Sequence, residues 1–310
     1  MLAKIAEYLK SYGIVVGFLA VCAVLSLLSP NFLTVTNILN VIRQASIIGV
    51  MSVGVTFVIL SGGIDLSVGS VLAVSGMIAA GALDGGAGTG VAIAIALAVG
   101  MAAGLTNGLL VTLGRVTPFV VTLGMMSVAR GLTLLYSDGY PISGFSETFR
   151  FIGGGVILGI PVPVILLVLS VFVASFVLSR TRLGRYTYAI GGNEETVKLA
   201  GVNTGVYKTL MYVISGATAG LAALILTSRL NSAGPTAGFT YELTVIAAVV
   251  IGGTSLNGGR GTVWGSLVGA LLIATINNGM NLLGVSPYFQ ELAKGLIIIG
   301  AVYIDRFREQ

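Results

Sequence analysis

Apolar residues in this chain come in long blocks, separated by short clusters of Pro, Gly and polar residues. A lipid core is crossed by about 20 consecutive apolar residues in a helix, so each block predicts a span. The predicted spans are Ile14 to Leu28, Ile42 to Leu60, Val68 to Ala82, Gly90 to Leu113, Pro118 to Tyr136, Val164 to Leu178, Thr209 to Leu230, Leu243 to Ile251, Thr262 to Leu283 and Tyr288 to Tyr303. The third and eighth are shorter than a crossing needs. They are flanked by Gly62-Gly63 and Gly252-Gly253, where a helix can end, turn or re-enter if the backbone lines protein rather than lipid. The pattern predicts an all-α polytopic membrane protein of about ten transmembrane helices, some short or broken, forming a single domain over residues 1–310.

Composition sharpens this reading. The 310 residues are 55% hydrophobic and only 9% charged, against about 25% charged in soluble domains, which leaves no room for a separate soluble domain. Gly occurs 45 times, and in lipid small residues let helix backbones approach closely. There is no His, and Cys22, the one cysteine, sits inside an apolar block. Imidazole chemistry, a disulfide framework and a metal cluster are therefore not expected.

The first block follows Lys4 and Lys10 and ends Ser-Leu-Leu-Ser-Pro without a signal-peptidase-like site, so it reads as a retained span. In residues 1–12, Leu2, Ile5, Ala6 and Leu9 fall on one helical face away from Lys4, Glu7 and Lys10, as in a helix lying in the interface. With the N-terminus inside, Lys4, Lys10, Arg115, Arg180, Arg182, Arg185, Lys198, Lys208, Arg260, Arg306 and Arg308 fall in the cytoplasm. Arg43, Arg150 and Arg229 fall outside, and Arg130 and Lys294 lie within spans. This is the sense of the positive-inside rule, and it predicts both termini in the cytoplasm. The net charge of +5 thus reports topology, not nucleic-acid binding.

Val53 to Ala80 runs apolar, then Ser-Gly-Gly-Ile-Asp-Leu-Ser, then a Gly/Ser-studded helix; Ala247 to Leu272 repeats that plan around Gly-Gly-Thr-Ser-Leu-Asn-Gly-Gly. Asn107-Gly108 recurs as Asn278-Gly279, Pro118-Phe119 as Pro287-Tyr288, and Arg130-Gly131-Leu132 as Lys294-Gly295-Leu296. An internal inverted repeat is expected, with a solute pathway near its interface.

Enzyme signatures are missing. The glycine-rich segment Gly252 to Gly261 lacks the lysine of a phosphate loop, so any ATP must be hydrolysed by a partner. Asp65, with Ser67 two residues on, lies between spans. An acid there either caps the following helix or binds a solute or ion. Asn107, Asn277, Asn278 and Asn281 either line a pathway or tie helices together. Arg130 and Lys294 sit within snorkelling reach of the headgroups.

One segment is out of character. Arg180 to Lys208 carries five Lys/Arg and two Glu in an otherwise oily chain. Gly191-Gly192 should end one helical piece, Asn193 should cap a second with Glu194 and Glu195 in its first turn, and that piece, holding Val197 and Ala200, should stop at Gly201. It is either a lever for a partner's motion or a solvated loop.

Three stretches carry a resemblance: Gly54 to Ser75 (GVTFVILSGGIDLSVGSVLAVS), Thr181 to Gly201 (TRLGRYTYAIGGNEETVKLAG) and Thr236 to Leu256 (TAGFTYELTVIAAVVIGGTSL). With Asn277 to Val285 and the Pro-Asn-Phe-Leu-Thr start at Pro30, the chain resembles, over nearly all of its length after the first helix, the permease subunits of bacterial ATP-binding-cassette sugar importers, most closely the ribose-type group. The resemblance implies a homodimer in the bacterial inner membrane. It further implies an ATPase subunit that carries ATP and Mg, no cofactor in this chain, a soluble sugar-binding protein, and a monosaccharide, ribose, as solute. It maps the ATPase-coupling segment onto Gly191 to Gly201, and the outer loops, with Arg150 or Arg229, onto the binding-protein landing surface. An ion-coupled secondary transporter of a small polar solute is the alternative that the repeat and Asp65 would support.

Overall fold

The computed structural model describes residues 2–308, with side-chain surroundings given for residues 13–303 except 298, 301 and 302. Its helices are α1 (Leu2–Leu28), α2 (Val35–Leu60), α3 (Val68–Asp84), α4 (Thr89–Thr112), α5 (Pro118–Ser137), α6 (Glu147–Gly154), α7 (Val162–Arg180), α8 (Arg182–Leu199), α9 (Thr204–Leu230), α10 (Tyr241–Ile251), α11 (Val263–Leu282) and α12 (Pro287–Arg308). Two antiparallel ribbons complete the described residues: β1 (Ile142–Ser143) with β4 (Ser232–Ala233), and β2 (Val156–Ile157) with β3 (Ile160–Pro161). Each predicted span is a helix. Six of them, α2, α4, α5, α7, α9 and α11, are long and apolar enough to cross a membrane, while α3, α10 and Gly13–Leu28 are shorter apolar helices. The chain is an all-α membrane protein. The backbone of α1 is helical from Leu2 onward, and the predicted interfacial face of Leu2, Ile5, Ala6 and Leu9 lies outside the described side chains.

Helices apolar on every side go to the centre. In α2 the stretch from Gly49 to Leu60 is buried throughout, and in α10 Thr244 to Val250. Around them pack α3, α9 and α11. The closest seam joins α4 to α9, where Gly100, Gly104 and Gly108 face Thr209, Tyr212, Gly216 and Gly220. A Cβ on Gly108 would fall 2.7 Å from Thr209 Cα and one on Gly220 2.5 Å from Ala96 O. At Gly100 and Gly216 each carbonyl oxygen occupies the place of the other's missing Cβ. The four-residue spacing on both helices is the small-xxx-small pattern that holds helices together in lipid.

The connections sort to two ends. At one end lie residues 61–67, 113–117, 181–203 and 252–262, joined by Gly259 N donating to Leu60 O (2.9 Å) and Tyr188 OH to Gly261 O (2.9 Å). At the other lie 85–88, 138–161 and 231–240, joined by the β1–β4 ribbon, by Thr89 Oγ1 to Thr148 Oγ1 (3.1 Å), and by Phe145 N donating to Asn231 Oδ1 (2.9 Å). Arg115, Arg182, Arg185, Lys198 and Arg260 sit at the first end.

The expected inverted repeat is corrected for its first pair of matched segments. Breaks 61–67 and 252–262 touch, and a Cβ on Gly258 would fall 2.8 Å from Gly62 N. Helices α2 and α10 therefore finish at the same end, and α3 and α11 leave from it, so Val53 to Ala80 and Ala247 to Leu272 run parallel. The reason is parity: those spans are the second and the eighth, an even number of crossings apart. Asn107-Gly108 on α4 and Asn278-Gly279 on α11, by contrast, lie on helices of opposite sense, because α11 runs against α2 while α2 and α4 both run against α9.

Candidate functional site

The charged segment forms α8, in two pieces. Thr181 caps the first piece by accepting from Gly184 N (3.3 Å). Asn193 leaves the helix with φ −162° and ψ 99°, and its Oδ1 accepts from Thr196 N (2.9 Å), capping the second as its residue type predicts. That piece closes at Gly201, whose φ of +80° suits glycine. Val202 N then reaches back to Val197 O (3.3 Å) and Gly201 N to Lys198 O (2.9 Å).

The first piece is docked hard against the bundle. Thr187 and Ile190 are buried. Gly191 has no room for a side chain, because Leu60 O lies where its Cβ would be and Gly259 N lies beside it. The segment thus rests on both helix breaks at once. In the second piece Val197 is buried, whereas Gly192, Glu195, Thr196, Leu199 and Ala200 face outward, Leu199 with 90% exposure.

Glu194 turns inward. It takes Lys198 Nζ and Lys208 Nζ, each at 2.9 Å, and Thr204 Oγ1 at 3.1 Å. Burial would raise its carboxyl pKa, but the bonds and charges of Lys208, Lys198 and Thr204 outweigh this and hold it down at about 2. Glu194 therefore clips the end of α8 to the start of α9 and stays only partly exposed, while Glu195 faces outward. A groove of about 870 Å³ opens beside the clip, with Arg115, Lys198 and Lys208 on its wall.

The six residues expected on a pathway fall into three groups. Asp65, 1% exposed, accepts from Ser67 N (3.0 Å), Ser67 Oγ (2.6 Å) and, on its other oxygen, Ser215 Oγ (2.8 Å). Asn107 Nδ2 donates to Ser67 Oγ (2.9 Å), and Tyr212 OH to Ile64 O (3.3 Å). This knot ties the α2–α3 break to α4 and α9; Asp65 bonds Ser67, the residue ahead of α3, rather than an N–H within that helix, and Asn107 Oδ1 is buried with no protein partner. Asn278 makes a reciprocal amide pair with Asn37 (2.9 and 2.8 Å) that pins α11 to α2. Asn277 and Asn281 line a cavity of about 380 Å³ towards the second end of the bundle, with Gln44, Arg229, Tyr241 and Lys294.

The two arginines expected at a docking surface are separated. Arg150 is exposed on α6, while Arg229 lines that cavity. Arg130 does more than snorkel: its guanidinium clasps Pro235 O (2.7 Å) and Ala237 O (2.9 Å), holding the loop ahead of α10. Lys294 pairs with Glu291 (2.7 Å). Ser215, Tyr212 and Gln44 escaped the sequence reading, and Lys208 entered it only as a cytoplasmic charge, not as a partner of Glu194. Lys208 alone carried a signal, as a lone cation heading an apolar helix; the others are single polar residues whose partners are remote in sequence.

Against known proteins, residues 37–302 match the family described as branched-chain amino acid transport system / permease component. The chain is 50% identical over 300 residues to the ribose import permease protein RbsC of Bacillus subtilis, covering 96% of this chain and 93% of that one. It is 46% identical to RbsC of Escherichia coli K12 (95% and 93%) and 40% identical to the D-allose transport system permease protein AlsC of the same strain (97% and 93%). No solved structure shows a significant match.

Proposed function

This chain belongs to the branched-chain amino acid transport system / permease component family, and from that membership we propose that it is the membrane subunit of an ATP-driven importer that carries ribose into the cytoplasm. The observation that carries the reading is the near full-length likeness to ribose import permeases. The permease forms no covalent intermediate and hydrolyses nothing itself. A separate ATPase subunit binds ATP and Mg, and a soluble sugar-binding protein delivers the solute.

On this reading the chain works as a homodimer in the lipid of a bacterial plasma membrane, crossing about ten times through α1–α5, α7 and α9–α12, with both termini in the cytoplasm. The basic end of the bundle is cytoplasmic by the positive-inside rule. There the residues from Gly191 to Gly201 meet the ATPase. Gly191, Glu194 and Val197 hold the segment to the bundle and Asn193 caps its second piece, while Gly192, Glu195, Leu199 and Ala200 supply the contact face. An exposed leucine at the tip of a capped, braced helix suits a partner's apolar groove, and the brace lets ATPase closure rock the helices behind it. At the opposite end, Arg150 on α6 is the charge available to acids of the binding protein.

The test is uptake of labelled D-ribose into proteoliposomes holding the permease, its ATPase and a ribose-binding protein. Uptake that needs ATP and the binding protein supports the reading. Uptake by the permease alone under a proton or sodium gradient would refute it in favour of a secondary transporter.

A further inference from the structure

We propose that the 380 Å³ cavity is a holding chamber for a neutral polyol of monosaccharide size, with Asn277 and Arg229 as its main hydrogen-bonding groups. This deepens the permease reading and rests on it. The chamber exists because of a local accident of length. The chain from Asn231 (φ +51°) to Thr240 (φ +64°) is irregular, α10 is only 11 residues long, and the space above its first turn is left between α2, α9, α11 and α12. The volume lies at the small end of ligand pockets, about 300–1,000 Å³.

The wall has two characters. Ile47, Ile48, Leu226 and Ile273 make an apolar side, and amides, hydroxyls and a guanidinium make the other. A sugar ring has the same division, with C–H faces and O–H edges. Among the three asparagines of α11 the partners differ in a telling way. Asn278 is spent on Asn37, and Asn281 Oδ1 accepts from Gln290 Nε2 (2.8 Å). Asn277 Oδ1 is buried with no protein partner, and buried amide oxygens are rarely left so.

Charge sets the ligand class. Lys294 is neutralised by Glu291. Arg229 has no carboxylate within 4.0 Å among the described residues and sits near Tyr241 and Arg43. A wall without a free carboxylate repels cations and amines. The guanidinium fork presents paired N–H groups that two adjacent hydroxyl oxygens can accept. In the Asp65 knot both carboxylate oxygens are occupied by protein donors; Asn107 Oδ1 there is buried without a partner, as Asn277 Oδ1 is, but of the two only Asn277 lines the cavity, so the chamber rather than the knot holds the solute.

Two measurements test this. In the reconstituted assembly Asn277→Leu, which keeps volume and removes the amide, should lower ATP-driven ribose uptake about tenfold, the loss of one buried hydrogen bond to the solute; an unchanged rate would overturn the proposal. Independently of transport, Thr244→Cys on the cavity wall, in a Cys22→Ser background with Asn277 intact, should react with a water-soluble methanethiosulfonate. D-ribose at millimolar concentration should slow that labelling several-fold, and equimolar gluconate should not. Protection by gluconate but not ribose, or by neither, would overturn the chamber. If the unaltered assembly fails to import ribose while ribose still protects the thiol, the ATP-driven reading fails and the chamber stands.

Discussion

The seam between α4 and α9 offers the sharpest test of how this bundle is held together. Consider Gly216→Ala. Two opposing terms decide its sign. Alanine is favoured over glycine inside a helix by about 1 kcal/mol. Against this, the new methyl points at Gly100 O, and a methyl on Gly100 would point at Gly216 O. Placing a methyl into a packed contact costs about 1–3 kcal/mol. The upper part of that range applies, because the obstructing atom is backbone and cannot rotate aside. Relief requires α4 and α9 to separate, which also loosens Gly104 on Tyr212 and Gly220 on Ala96. The net expectation is a loss of about 1–2 kcal/mol. Gly124→Ala on α5 is the control, since nothing lies within 4 Å of its Cβ position, and only the favourable helix term remains. The assay is the thermal midpoint of the purified chain in detergent, read by fluorescence-detected gel filtration. Gly216→Ala should lower the midpoint and Gly124→Ala should leave it or raise it. The reasoning is refuted if both substitutions raise it. Because Gly100 and Gly216 share one contact, Gly100→Ala with Gly216→Ala should cost less than the two separate losses together.

Further expectations follow from the site. Asp65→Ala strands Ser67 N and two buried hydroxyls, and should destabilise by about 3 kcal/mol; Asp65→Asn, which keeps an acceptor for Ser67, should cost less, and an unaffected thermal midpoint for the alanine variant would sink the knot. Glu194→Gln should weaken the clip by about 1 kcal/mol, as expected for a partly exposed ion pair. Since the Glu194 pKa is depressed to about 2, the clip's stability is fully present above the ordinary carboxylate pKa and is lost as pH falls from there towards 2; the midpoint gap between wild type and variant should close in that window. Leu199→Asp, on the outward tip of α8, should weaken ATPase binding about tenfold in a pull-down titration, the burial of one leucine being worth about 1.5–3 kcal/mol; unchanged binding would move the contact elsewhere.

How much of this was legible in the sequence depends on how far apart the interacting residues are. The cap at Asn193, the stop at Gly201 and the split of the charged segment were readable, because helix capping involves residues three or four apart. The helices were readable because lipid imposes a minimum apolar length, and the two breaks because glycine pairs mark them. The orientation of the first pair of repeated segments was misread, since matching motifs give order along the chain and not direction through the bundle. Glu194 and Glu195 look alike in sequence, yet one is turned into a clip and the other faces out, which depends on where Lys208 and Thr204 arrive after a further turn. Asp65 and Asn277 were equal candidates for meeting a solute until packing gave both oxygens of Asp65 a protein donor and left Asn277 facing a space. By itself the sequence determined an all-helical membrane chain, its charged end and its capped segment, since these follow from local spacing and the thickness of a bilayer. Which polar groups are spent on neighbours and which remain for a ligand was decided only by the tertiary structure, because hydrogen-bond satisfaction in a bundle is settled between helices distant in sequence.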